Sequence, residues 1–508
     1  MRNATILKFP QPVLSRPIGQ VDSTVALGIR VGLHFAFDHD EFIMPISPDL
    51  AFGTLVDLGR RWRAKEFTAV ELAEFFLKRA ETIGRELNSI VTVTRDLALK
   101  QAEQADKELA AGRDRGPLHG MPYGAKDLLA TAGIPTSWGA APLKEQMFDT
   151  DATVIHKLRE AGAVLIAKLA MVEIAGGFGY RQANATFTGP GLNPWDKNAW
   201  AGGSSSGPGS AVAGGVVPFA IGSETWGSIM TPASNCGLSG LRPTYGRISR
   251  HGAMALSWTM DKLGPMCRTA EDCGLVLNAI AGQDPADPTS AADPYSFPPK
   301  DTLKTPYKLA TIKESRQWQP AVIANFDASL KVLGKFATFE EVEFPVLPYN
   351  EVASTFISCE MAAAFEGLVS SGDVWELTAP EDQPGGHAGQ FIYAKDYINA
   401  FRIRPIIQKA VDEILSRYDA IVTPTMAAVA VPLAANFREY FGPFRGSMIG
   451  GAGNAAGIPA LSIPNGFGDR GLPTGLQFVG RAFEENRLVT IAQKYQSVTD
   501  WHTKSPKD

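Results

Sequence analysis

Cysteine and histidine are scarce in this chain, and their scarcity removes whole classes of chemistry. Four cysteines among 508 residues (Cys236, Cys267, Cys273 and Cys359) form no Cys-x-x-Cys pair. Neither a disulfide framework nor a zinc site therefore has its ligands. Seven histidines are scattered and no His-Glu-x-x-His occurs, which weakens any mechanism that needs a metal or an imidazole base. Charge of one sign is not in excess either. Lys and Arg number 48 against 53 Asp and Glu, a net charge of −5, whereas a nucleic-acid binder ordinarily carries a basic surplus. No run reaches the roughly 18 apolar residues of a membrane-spanning helix, and the N-terminus lacks the apolar core and cleavage site of a signal peptide. A cytoplasmic protein with no metal, no nucleic acid and no membrane partner is the expectation.

What is present is an ordinary globular composition, 45% hydrophobic and 20% charged, in a chain long enough for one large domain or two moderate ones. Val25 to Phe37 alternates strictly between apolar and polar or small residues, which predicts a half-buried strand. Thr68 and Glu71 have capping-box spacing ahead of an apolar helical face. A helix is expected over about 95–112. The stretch from 152 to 168 reads as a helix, a turn at Gly162 and a buried strand. A Gly/Ser loop, Gly202 to Gly209, precedes a small-residue helix over 210–215, a short strand over about 216–221 and a second Gly/Ser loop that holds Ser228. Gly282 to Pro299 is a proline-rich connector. Short strands and Gly/Pro/Asn turns are expected at 421–425 and 450–480.

A serine hydroxyl is a poor nucleophile at neutral pH and needs a positioned base. Three segments offer the parts: Lys126 in Gly124-Ala-Lys-Asp127, the cluster Ser204-Ser205-Ser206, and Ser228 in Trp226-Gly227-Ser228. Alone, each reads as a solvated lysine or a linker serine. Lys126, however, is flanked by Met121-Pro-Tyr-Gly-Ala and Leu128-Leu-Ala. An amine in such apolar surroundings can lose its proton near neutrality.

In combination these segments resemble the amidase signature family. Gly202-Gly203-Ser204-Ser205, with Ser228 lying 24 residues after Ser204, carries the likeness. Pro117 to Asp127, Asp151-Ala-Thr-Val, Gly240 to Arg247, Asn454 to Ala460 and Gly471 to Arg481 extend it in register over about residues 50–505. The resemblance implies an α/β fold with a central mixed, twisted sheet covered by helices on both faces. It further implies an extension over 1–48, a signature domain over 49–508, and a pocket built largely by 300–450. By position, Ser228 would attack the carbonyl, Ser204, on a cis peptide bond, would relay the proton, and Lys126 would accept it. Ser205 would hold Lys126, and the backbone N–H groups of Thr225, Trp226, Gly227 and Ser228 would form the oxyanion hole, with no cofactor. The chain departs from the family's Asp-x-Gly-Gly-Ser-Ile-Arg loop at Trp226 and Met230. The second change removes the usual cationic neighbour of the Glu224 carboxylate.

The expectation is thus an amidase that hydrolyses a carboxamide, apolar or aryl if Phe356, Phe365, Phe391, Tyr393, Tyr440, Phe441 and Phe444 line the pocket, with esters and carbamates as side substrates. Its partners would be a small-molecule amide and water, and the chain a monomer or homodimer. Three alternatives stand beside it. Gly203-Ser204-Ser205-Ser206-Gly207 matches the Gly-x-Ser-x-Gly elbow, which would make Ser205 the nucleophile. An amidotransferase A-type subunit would release ammonia from glutamine for a misacylated transfer RNA. A catalytically dead scaffold would bind without turnover.

Overall fold

The order of strands in one large sheet decides where chemistry can occur. The computed structural model describes residues 47–300 and 303–507; the strand expected over Val25–Phe37 lies outside them. Eleven strands run from one edge in the order Ile90–Val93, Val164–Leu169, Pro122–Lys126, Phe219–Glu224, Lys262–Cys267, Ser239–Arg242, Ala460–Phe467, Pro473–Val479, Ala420–Pro424, Tyr307–Ile312 and Ala337–Val342. Val164–Leu169, Pro122–Lys126 and Phe219–Glu224 pair in parallel. The strands that follow are antiparallel, and parallel pairing returns at the far edge. Helices flank this mixed sheet, so the expected α/β class is the one observed.

Strands covered on both faces lose the alternation that marks a half-exposed strand. Val164–Leu169, Phe219–Glu224 and Lys262–Cys267 are buried at every position, so Lys168, Glu224 and Lys262 must find partners inside. At the far edge only the first and last residues of Ala337–Val342 are buried. Its exposed Glu340 and Glu341 discourage pairing with another chain.

Local signals place the helices. The helix Ala69–Arg79 is started by Thr68, whose side chain accepts from Glu71 N–H while Glu71 reaches back to the Thr68 N–H. Such caps are worth about 1 kcal/mol each. Arg95–Ala110 and Thr153–Glu160 form as expected, the latter followed by Gly162 and the strand Val164–Leu169.

Boundaries move where small residues hide periodicity. The small-residue helix spans Ser206–Ala213, four residues earlier than its pattern indicates, and every residue in it is buried. Gly207 explains the tight seat, since a methyl group there would stand 2.4 Å from the backbone of Ala170. The next strand begins at Phe219. Ile449–Ala456, expected as strand and turn, is a helix, because glycine and alanine carry no period to read. Leu192–Asn193 and Asp196–Trp200 form a two-stranded hairpin apart from the main sheet. Gly282–Pro299 carries neither helix nor extended strand.

Candidate active site

Parallel register brings residues nearly a hundred positions apart to one end of the sheet. Gly124 pairs with Ala220 and Ala125 with Ile221, so Lys126 ends its strand beside Ser223. The carboxyl ends of parallel strands are where open α/β sheets gather their functional groups.

Lys126 is fully buried. Its Nζ donates to Ser204 Oγ at 2.7 Å, Ser223 Oγ at 2.9 Å and Ser205 Oγ at 3.1 Å. All three partners are neutral hydroxyls, so no carboxylate in contact holds the proton on. Burial pushes the amine down to about 7, against an opposing pull from Asp261 and Glu224. Ser223 has no counterpart among the expected residues; only the pairing of the two strands reveals it.

Ser204 follows a cis Gly203–Ser204 peptide bond, and its carbonyl accepts from Val172 N–H at 3.0 Å. Ser205 is fully engaged. Besides accepting from Lys126, it donates to the Ser223 carbonyl at 3.1 Å and accepts from Ser223 N–H at 3.3 Å. A buried hydroxyl tied on all sides is a poor choice of nucleophile, which removes the geometric basis of the elbow alternative even though a short strand does precede it. Ser228 retains 9% exposure and faces a cavity. No hydrogen bond joins Ser228 Oγ to Ser204 Oγ among the described residues. The contact made is from Ser205 N–H to the Ser228 carbonyl, at 3.3 Å.

The loop over 225–229 is pinned at both ends. Glu224 ends the strand before it, and its Oε2 accepts from Ile229 N–H at 2.9 Å and Met230 N–H at 3.0 Å. Arg242 Nη1 lies 2.9 Å from the other carboxylate oxygen. Burial would raise the Glu224 carboxyl, but Arg242, Lys262 and these hydrogen bonds outweigh it and hold the group at about 2. The cation expected to be lost with Met230 is thus supplied from Ser239–Arg242, through space rather than along the loop. Thr225 is fixed too: its Oγ1 donates to Asp261 Oδ1 at 2.5 Å and its carbonyl accepts from Lys262 Nζ at 3.3 Å. The left-handed residue is Gly227, at φ 84°, and Trp226 is not left-handed, so the loop accepts a tryptophan at 226. Among the described residues, none of the four N–H groups from Thr225 to Ser228 donates to a protein acceptor. A row of unengaged donors beside a hydroxyl is what an oxyanion requires.

The cavity over Ser228 has a volume of about 320 Å³, at the small end for ligand pockets. Its apolar walls include Tyr180, Trp200, Leu256, Ile357, Met426 and Phe437. Of the aromatics expected to line it, Phe441 does. Phe356 and Phe365 are core, and Phe391 and Tyr393 are 81% and 70% exposed. Tyr180 and Trp200 come from the N-terminal half, so the pocket is not the work of 300–450 alone. Among the described residues no cluster of His, Cys, Asp or Glu could hold a metal ion, and no helix is long and apolar enough to cross a membrane.

The Lys126 environment makes a pH prediction. Below about 7 the amine keeps its proton and cannot accept another, so kcat/KM should rise about tenfold per pH unit and level off above 7. Burial also brings Lys262 to about 7. The profile should therefore be measured on Lys262→Met as well, where the limb persists if Lys126 is its source. A flat profile from pH 5 to 9, with chemistry rate-limiting, counts against Lys126 as base.

Comparison with known proteins agrees on the family. The amidase family model matches residues 71–489. The A-type subunit of glutamyl-tRNA(Gln) amidotransferase from Pseudomonas savastanoi pv. phaseolicola is 37% identical over 484 residues, covering 89% of this chain and 99% of its own. The native peptide amidase of Stenotrophomonas maltophilia superposes with a TM-score of 0.76 at 28% identity, covering 89% of this chain and 97% of that one. The corresponding A-type amidotransferase protein of Thermotoga maritima gives 0.73 at 25% identity, covering 89% and 96%. One expectation falls here. A monomer or homodimer acting on a small-molecule amide with no nucleic acid does not agree with relatives named as one component of an enzyme of glutamyl-tRNA. The physical reason is that net charge reports only on a surface that itself touches phosphate, and one component of a larger enzyme need not present that surface.

Proposed function

The chain belongs to the amidase signature family of enzymes that act on amide C–N bonds, and on that premise we propose that Ser228 cleaves a carboxamide through a covalent acyl-enzyme. Ser228 Oγ adds to the carbonyl carbon while its proton passes to Ser204, whose own proton passes to Lys126. The oxyanion takes hydrogen bonds from the N–H groups of Thr225 to Ser228. Collapse breaks the C–N bond, and the departing amine receives the proton back along the same path. Water then attacks the acyl carbonyl, giving its proton to the relay, and Ser228 recovers its hydrogen. The link from Ser228 to Ser204 tightens only once substrate is seated, as catalytic hydrogen bonds often do. The observation that carries this reading is the buried Lys126 amine with three serine hydroxyls as its hydrogen-bond partners.

Two donors are supported, by different observations. The names of the relatives favour the carboxamide of glutamine, its ammonia passed to an acceptor on a transfer RNA, with partner subunits beside this chain. The lining of the cavity favours an apolar or aryl acyl group. No Asp, Glu, Lys, Arg or His lines it, so the ammonium and carboxylate of glutamine would be desolvated there without partners, at a cost of several kcal/mol.

Ammonia release from glutamine and from hexanamide, with transfer RNA present and absent, tests the proposal. A kcat/KM for glutamine at least tenfold above that for hexanamide, raised further by transfer RNA, selects the first donor; the reverse ratio selects the second. No turnover of any amide, together with no covalent adduct on Ser228 from a fluorophosphonate, overturns the acyl-enzyme reading and restores the inert scaffold.

A further inference from the structure

Behind the apolar cavity lies another of about 330 Å³ with a different chemistry. Asn350, Thr425, Ser447, Asn454 and Gln477 line it, as does the buried Glu224–Arg242 pair. Arg242 Nη2 is itself buried and makes no hydrogen bond. Trp226, Thr231 and Met426 line both cavities. Thr231 Oγ1 lies 3.5 Å from Met426 Sδ, so these two close on each other, and Trp226 is the largest of the residues common to both linings. That indole packs against the main core cluster. Opposite it, Gly450 presents no side chain, and a methyl group there would stand 3.7 Å from Trp226 Nε1. The indole can therefore lie close to the helix Ile449–Ala456.

We propose that Trp226 is a specificity-determining partition: its indole confines the acyl group of the substrate to the apolar cavity and closes off the polar one, so that apolar acyl groups are selected over those ending in a hydrogen-bonding group. This rests on Ser228 as the nucleophile and deepens the reading of its pocket. The side chain of residue 226 forms the wall while its backbone N–H stays with the oxyanion loop, so the wall can be removed without removing that donor. With the wall in place, a tail hydroxyl is buried against Leu256, Ile357 and Phe437. An apolar pocket rejects such an isostere by only about a hundredfold. With the wall gone, the same hydroxyl reaches amide and hydroxyl partners.

Straight-chain primary carboxamides and their ω-hydroxy isosteres provide the test, with ammonia release and mass spectrometry of acylated Ser228 as readouts. Wild type should prefer the apolar member of each pair by about 10- to 100-fold in kcat/KM, on the order expected for an apolar pocket. Trp226→Ala should lower that preference at least about tenfold, on the same scale. Trp226→Phe should shift it in the same direction by less, and it keeps the test available if the alanine variant does not fold. An unchanged preference in variants that still acylate Ser228 overturns the partition. So does a wild type that turns over both members, or glutamine, equally fast. Absence of any acyl group on Ser228 in all three proteins overturns the partition together with the nucleophile reading on which it rests.

Discussion

Ser228→Ala should abolish amide turnover, with a loss on the order of 10⁴- to 10⁶-fold in kcat, the range seen when a serine nucleophile is removed from an otherwise intact site. The effect is this large because neither neighbouring serine hydroxyl can take over. Ser205 is tied to Lys126 and to both backbone groups of Ser223, and Ser204 does not line the cavity. Removing one Oγ from a residue that is 9% exposed disturbs little packing, so the melting temperature should stay within a few degrees of wild type. Substrate should still bind, because the Tyr180, Trp200 and Phe437 walls are untouched. Measuring kcat, the melting temperature and substrate binding on one preparation separates the chemical role from a structural one. Retention of more than about a hundredth of wild-type kcat would show that another group carries the attack, well above the residual rate left by binding and oxyanion contacts.

Lys126→Met should be nearly as severe. It keeps most of the side-chain volume and removes the proton acceptor, with an expected loss of about 10³- to 10⁴-fold in kcat/KM; general-base contributions commonly reach that size. It also strips the Ser204, Ser205 and Ser223 hydroxyls of their shared donor. Some destabilisation, about 1–3 kcal/mol, is therefore expected and is read from denaturant unfolding. The diagnostic readout is the pH profile. The rising limb near 7 should vanish in Lys126→Met, while a packing defect would lower the whole curve and leave its shape. Lys126→Arg should not rescue activity, since a guanidinium keeps its proton throughout the accessible range.

Much of this architecture is legible in the order of residues. The Thr68/Glu71 spacing, the Gly162 turn with its apolar run, and the serine clusters around 204 and 228 are local patterns, and local patterns survive in a one-dimensional record. Other features are not written that way. Phe391 and Tyr393 have the composition of pocket walls, yet they face solvent, while Tyr180, Trp200 and Phe437 surround Ser228. Aromatic content does not say which way a side chain points. The helix Ile449–Ala456 is hidden because glycine and alanine fit helix, turn and strand patterns alike.

Lys126, Ser204–Ser205 and Ser228 stand in the sequence as a row of candidate parts, and the family resemblance of the segments around them implied the α/β class that frames them. Tertiary structure decided how they meet. Register between Pro122–Lys126 and Phe219–Glu224 sets Ser223 against the amine, and Ser239–Arg242 delivers Arg242 to Glu224, whose own loop carries Met230 in place of a cation. The same folding placed Trp226 between an apolar and a polar cavity. Strand pairing, register and burial are relations between distant segments, and they settle both the proton affinity of a lysine and the shape of a pocket. No spacing along a single segment records them.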